Sequence, residues 1–183
     1  MNRLYSAMHT KISNKPPRFD LDNSAYFLTF CTFDRKPLLV GGVADLMVEN
    51  IKFYSNRLVG ITAYTVMPDH VHLLVAVEKV KHMSDFLRDL KKHTSKEIKK
   101  SLSLRALHVW QRGTMDHCIR ISDSNDDFEN HLYYIFYNSW KHLETSPKDF
   151  PHHNFMQFVE NGMLAIDFYS FDESKHTVFK MYE

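Results

Sequence analysis

Apolar residues follow two rhythms along this chain, alternate positions in some stretches and every third or fourth position in others. Residues 25–33, AYFLTFCTF, are aromatic and β-branched and are closed by Asp34-Arg35-Lys36-Pro37, which predicts a strand. Residues 43–57 carry Leu46, Met47, Ile51 and Tyr54 at helical spacing. ITAYTV (61–66) and HVHLLVAV (70–77) read as two strands joined through Met67-Pro68-Asp69, a hairpin. Residues 83–100 form an amphipathic pattern, with Phe86, Leu87, Leu90, Thr94 and Ile98 on one side and lysines on the other. LHVW and HCIRI, within 107–121, are weaker strands around Gln111-Arg112-Gly113. A long helix is predicted over Asp126–Leu143, with Ser124 and Asp127 in capping-box spacing at its start. The order β, α, β, β, α, β, α predicts an α+β fold, a ferredoxin-like or RRM-like antiparallel sheet with helices packed on it.

Lys15-Pro16-Pro17-Arg18 interrupts a stretch of little periodicity, so residues 1–23 read as an N-terminal arm, 24–143 as the domain, and 144–183 as a C-terminal appendage packed on it. A chain of 183 residues, 44% apolar and 25% charged, supports one packed core and excludes wholesale disorder or fibrous repeats. The longest apolar run, Leu132–Tyr137, is far short of the ~18 residues of a membrane helix. No secretory h-region is visible and the two cysteines form no CxxC pair, so a cytoplasmic, disulfide-free protein is expected. A net charge of +1 excludes a chain that is basic throughout. Between Lys79 and Arg105, however, nine Lys or Arg face three acids. Such a concentration is either a solvated helix face or a phosphate-contacting one, with Lys91, Lys92, Lys96 and Lys99 as the candidate contacts and Arg112 and Arg18 as neighbours.

Chemistry concentrates at two places. In His70-Val71-His72 the alternation of a strand puts both imidazoles on one face, about 7 Å apart along the backbone, and Val71, Leu73, Val75 and Val77 on the other. Two such rings can chelate one divalent cation; hydrogen-bonded histidines of structural purpose give the same pattern. In the last helix Tyr134 and Asn138 stand at i and i+4, hence on one face. The apolar stripe Phe128, Leu132, Ile135, Phe136 and Leu143 lies elsewhere, so Tyr134 and Asn138 are expected outside the core, at a shallow site. His131 and Lys141 share their face and are expected at the surface. Trp110, beside Gln111-Arg112, is either a core ring or a contact for a bound partner, and Asp116-His117 either a further metal ligand or a structural hydrogen bond.

The ordered set PDHVHLLV, VWQRG, MDHCIR, an acidic segment, YIFYN and FMQFVENGMLAIDF resembles the REP-associated tyrosine transposases, a branch of the single-tyrosine HUH transposases, from about Tyr26 to Phe168. The resemblance implies that Tyr134 is the catalytic nucleophile and that His70, His72 and Asn138 are metal ligands for Mg2+ or Mn2+. It implies a single-stranded DNA substrate carrying hairpin elements, cut and rejoined through a 5′-phosphotyrosine, and admits a homodimer among the assemblies. A phenol with a free pKa near 10 needs help to ionise at neutral pH. Two departures stand out: Ser139 replaces the proline common after the asparagine, which lets the helix run on, and Asp69 replaces the asparagine usual before the first histidine. The histidine-triad hydrolases also use alternating histidines, but they need a third at position 74, where this chain has Leu74. A non-catalytic protein of the same fold that binds structured single strands is the remaining alternative.

Overall fold

The computed structural model describes residues 21–55, 57–104, 108–119 and 126–167. Its elements run β1 (Ser24–Cys31), a 3-10 turn (Phe33–Arg35), α1 (Gly42–Tyr54), β2 (Gly60–Val66), β3 (His70–Val77), α2 (Val80–Ser101), β4 (Met115–Cys118), α3 (Asp126–Leu143) and α4 (Phe155–Glu160). The four strands form one antiparallel sheet in the order β2-β3-β1-β4. β1 and β2 are therefore parallel with β3 between them, and β3 and β4 are parallel with β1 between them. These are the two interleaved β-α-β units of a ferredoxin-like sheet, as the element order predicts.

Alternation along the two central strands gives the sheet two differently composed faces. Leu28 and Phe30 of β1 and Val71, Leu73 and Val75 of β3 point to one side, where Met47 and Ile51 of α1 and Phe86, Leu90 and Ile98 of α2 close the main core. Phe27, Leu74 and Ala63 point to the other side and pack against Leu132, Ile135 and Phe136 of α3 and Phe155 and Phe158 of α4. The protein thus has three layers, and the central strands are buried on both faces, which is why their sequences are nearly continuous apolar runs.

Several sequence expectations shift in detail. β1 ends at Cys31, because Thr32 turns out of the ladder to bridge Trp110 and Phe33 enters the 3-10 turn. Of the two weak strands, the described residues form only Met115–Cys118, and Trp110 makes an isolated bridge. Ser124 and Arg18 lie outside the described residues. Without a proline after Asn138 the helix does run on, to Leu143. No helix among the described residues is long and apolar enough to cross a membrane.

The segment after α3 covers the free edge of β2. His152 O accepts from Val66 N–H at 2.8 Å, Thr65 bridges His153, and the Asn154 amide accepts from Tyr64 N–H at 3.0 Å and donates to Thr62 O at 2.9 Å. His153 is enclosed by Phe136, Phe150 and Phe155, and this burial pulls its pKa down to about 4. An unfolded chain takes up that proton near pH 6.5 and the folded chain only near 4, so His153 penalises folding increasingly as the pH falls through this window. The penalty reaches about 3 kcal/mol at its foot. Urea denaturation of wild type and His153→Gln at pH 7.5 and pH 4.5 is expected to show the variant losing less stability on acidification; equal losses would refute the assignment.

Candidate active site

Three elements build the site. β3 contributes His70 and His72, β1 runs antiparallel beside it with Thr29 opposite His72 and Cys31 opposite His70, and α3 crosses over that face with Tyr134 and Asn138. The two imidazole rings are 4.7 Å apart and nearly perpendicular, and the Tyr134 ring stands 5.2 Å from that of His72. The strand and helix therefore bring together His70, His72, Tyr134 and Asn138 within one chain.

The site is deeper than its sequence suggests. Tyr134 is 4% exposed and Asn138 is fully buried, whereas Leu143, assigned to the apolar stripe, is 40% exposed. The expectation that Tyr134 and Asn138 lie outside the core is thus corrected. Helix α3 covers a sheet face that is itself partly polar, and it buries its polar flank there together with its apolar one. His131 is corrected for the same reason: it is fully buried against Phe27, at 4.8 Å between ring centroids. Lys141 remains half-buried, with its ammonium 5.7 Å from the Tyr134 ring centroid.

Hydrogen bonds fix each ring. Asp69 Oδ1 accepts from His70 Nδ1 at 2.6 Å; because a carboxylate only accepts, Nδ1 carries a proton and Nε2 faces away from this bond. The bond to His70 is the main reason the Asp69 carboxyl is held below the usual carboxylate range, with Arg35 assisting at 3.3 Å. Thr32 steadies this corner: its N–H donates to Asp69 O at 2.8 Å, and its hydroxyl lies between Lys36 O at 2.6 Å and Asp69 O at 3.0 Å. Arg35 itself sits in the left-handed region, at φ 53°, a conformation costly for a residue with a side chain. His72 Nδ1 shares a 2.7 Å hydrogen bond with Thr29 Oγ1. Burial, reinforced by His70, His142 and Arg35, pushes the His72 pKa well below its ordinary value, so this ring is neutral at physiological pH.

Two polar atoms in this space are buried with no hydrogen-bond partner, His72 Nε2 and Asn138 Oδ1. The Asn138 amide nitrogen is already used, donating to Tyr134 O one turn back, which leaves its oxygen toward the histidine. Buried polar atoms without partners are costly, and a cation coordinated between them would remove that cost. Two imidazole nitrogens and an amide oxygen are a suitable donor set for a divalent ion, so His70, His72 and Asn138 fit one.

The other residues singled out by sequence fall elsewhere. Helix α2 lies on the opposite face of the sheet, so its lysines do not border the histidine pair. Lys92, Lys96 and Arg112 are exposed and Lys99 is half-buried. Lys91 turns inward, donating to Gly113 O at 2.6 Å and Thr114 Oγ1 at 3.0 Å, and burial lowers its pKa to about 8. Trp110 is a core ring: its Nε1–H donates to Thr94 Oγ1 at 3.1 Å, and it packs edge to face with Phe30. Thr29, Arg35 and His142 escaped sequence reasoning altogether. Thr29 and Arg35 are placed by strand register and a left-handed turn, neither of which leaves a motif.

An antiparallel sheet with a histidine pair on one face and a helical tyrosine set against it can be compared with known proteins. Residues 20–135 match the sequence profile of the family described as "Transposase IS200 like", and the chain belongs to that family. Several of the proteins it is similar to are REP-associated tyrosine transposases. A Haemophilus influenzae protein provisionally given that name is 32% identical over 115 residues, covering 57% of this chain and 64% of its own length. The REP-associated tyrosine transposase of Escherichia coli K12 is 27% identical over 153 residues, covering 82% and 87%. The chain thus spans a little under two thirds of the first relative and most of the second. A solved REP-associated tyrosine transposase, bound to a REP hairpin, has the same fold, with a TM-score of 0.65 and 23% identity over 85% of this chain and 90% of that one.

Replacing Thr29 by Val keeps shape and removes the partner of His72 Nδ1. Titration calorimetry with Mn2+ is expected to show roughly 10- to 100-fold weaker binding, the usual effect of losing a group that orients a ligand. Unchanged affinity would show that Thr29 does not orient the ring.

Proposed function

We propose that this protein is a DNA transposase and single-strand endonuclease that nicks and rejoins single-stranded DNA near hairpins through a 5′-phosphotyrosine at Tyr134. The observation that supports this most directly is the meeting of Tyr134 with His72 beside the buried His72 Nε2 and Asn138 Oδ1. Tyr134 Oη attacks a backbone phosphorus, the bond from phosphorus to the 3′ oxygen breaks, and that oxygen leaves as a hydroxyl after taking a proton. One phosphodiester is exchanged for another, so no external energy source is required. Attack by a 3′ hydroxyl on the phosphotyrosine reverses the step and frees the phenol.

A divalent cation, Mg2+ or Mn2+, held by His70, His72 and Asn138 would supply Lewis-acid polarisation of the phosphoryl oxygens. The chain's own residues do the positioning. Asp69 and Thr29 hold the two rings through Nδ1, with both Nε2 atoms directed away from these hydrogen bonds. The Lys141 ammonium stands 5.7 Å from the centre of the Tyr134 ring, placing a cation beside the proposed nucleophile. The exposed Arg35, with 55% of its side chain in solvent, and His142, whose ring is 5.8 Å from that of His70, form a basic rim at which a phosphate can enter.

A tyrosine covered by its own helix is reached more readily by a flexible strand than by a stacked duplex, which supports a single-stranded substrate. The hairpin bound to the solved relative supports a hairpin as the recognition element. Because the exposed lysines of α2 lie on the far face of the sheet, they suit the phosphates of a paired stem held away from the cut.

Incubation with hairpin-bearing single-stranded DNA followed by a denaturing gel is expected to reveal a covalent adduct that Tyr134→Phe abolishes, while Tyr133→Phe and Tyr137→Phe keep it. An adduct in Tyr134→Phe would overturn the assignment, and retention without any adduct would identify a binding protein. Lys92→Ala with Lys96→Ala is expected to lower the slope of log affinity against log salt by about 0.7 to 0.9 for each phosphate no longer neutralised, as read by fluorescence anisotropy. Lys91→Ala, whose ammonium is committed to Gly113 and Thr114, should leave that slope unchanged; an unmoved slope in the double variant would show a merely solvated face.

A further inference from the structure

Across the same sheet face from the histidine pair, at the edge made by β4, a second group of metal-ligating side chains converges. His117 stands opposite Phe27 in the β1/β4 ladder, and Asp127 and His131 are four residues apart at the start of α3, hence on one side of the helix. One nitrogen of each histidine and one carboxylate oxygen lie within 4.8 Å of one another. The Asp127 carboxylate reaches both rings, at 3.2 Å from His117 Nε2 and 3.2 Å from His131 Nδ1, and His131 Nδ1 also donates to Asp127 O at 2.6 Å. The rings are stacked, with centroids 4.8 Å apart and planes 18° from parallel. They present their edges to a shared carboxylate.

We propose that His117, Asp127 and His131 form a second metal site, separate from His70, His72 and Asn138, that takes a borderline divalent transition ion of the zinc class. Two imidazoles and one carboxylate are a donor set that favours such ions over Mg2+ and leaves a coordination position for water. With metal–ligand bonds of about 2.0–2.2 Å, tetrahedral ligands stand roughly 3.3 Å apart, within the 4.8 Å that the ligand atoms span; an ion bound through His131 Nδ1 would replace the proton which that nitrogen donates to Asp127 O. The buried His131 is held neutral by desolvation, the form that binds metal. His117, with 36% of its side chain in solvent, gives the ion access. The Phe27 ring lies between the two centres, 4.8 Å from that of His131 and 5.2 Å from that of His72. An ion here would tie edge strand β4 to the first turns of the helix that carries Tyr134.

The test uses full-length, tag-free, metal-stripped protein and Co2+ or Zn2+ alone as the probe, so it stands apart from whether the protein cuts DNA. In the His70→Ala/His72→Ala background, one equivalent of Co2+ is expected to bind with the visible absorption of a low-coordinate ion, and Zn2+ is expected to raise the melting temperature. Adding His117→Ala or Asp127→Asn should weaken Co2+ binding at least tenfold and abolish the Zn2+-dependent rise, with circular dichroism confirming the fold of each variant. Absence of Co2+ binding in the double-alanine background, or undiminished binding after His117→Ala in folded protein, would overturn the proposal.

Discussion

The burial of His72 beneath α3 is the constraint around which the site is organised. An imidazole taken out of water must stay neutral and satisfy both nitrogens, or it costs the fold stability. Thr29, opposite it across the ladder, satisfies Nδ1. Nε2 is left without a partner, as is the Asn138 oxygen in the same buried space. The same burial sets Tyr134 against the ring and forces α3 to present a polar flank inward. Structure and proposed chemistry rest on one packing decision.

The fold tolerates that decision because the sheet divides its labour. Odd-numbered residues of β3 and even-numbered residues of β1 build the main core with α1 and α2. The reverse faces are thereby freed for histidines and for Thr29, while Phe27 and Leu74 keep enough apolar area to hold α3 and α4. Because the larger core lies on the other side of the sheet, the polar face can carry unsatisfied groups without dissolving the domain. The separation also puts the α2 lysines on the far side of the sheet from the tyrosine. Any nucleic acid touching both must pass around an edge, and Arg35, beside Asp69, extends positive charge at the histidine end of β3.

Asp69 shows how a single substitution within a motif can be read once the geometry is known. A negative charge beside a histidine pair is ambiguous in sequence. In the fold it accepts from His70, is neutralised in part by Arg35, and is braced through its backbone by Thr32. It orients a ring and has no need to ligate an ion itself.

The sequence by itself determined the element order, the identity of the inward face of β3, and the pairing of Tyr134 with Asn138, because each depends on a local period of two or of 3.6 residues. The His-x-His pair and the helical tyrosine were legible for the same reason, and the ordered motifs carried the family. What only the tertiary structure decided was which surfaces meet. Periodicity placed Tyr134, Asn138 and His131 away from the apolar stripe, and a helix read alone would send them to water. They are buried because a second sheet face, polar in part, lies beneath them. Thr29 became a partner of His72 through strand register, Lys91 was drawn to Gly113, and His117, Asp127 and His131 met across an edge strand and a helix. Such contacts join residues far apart in the chain, and no local pattern encodes them.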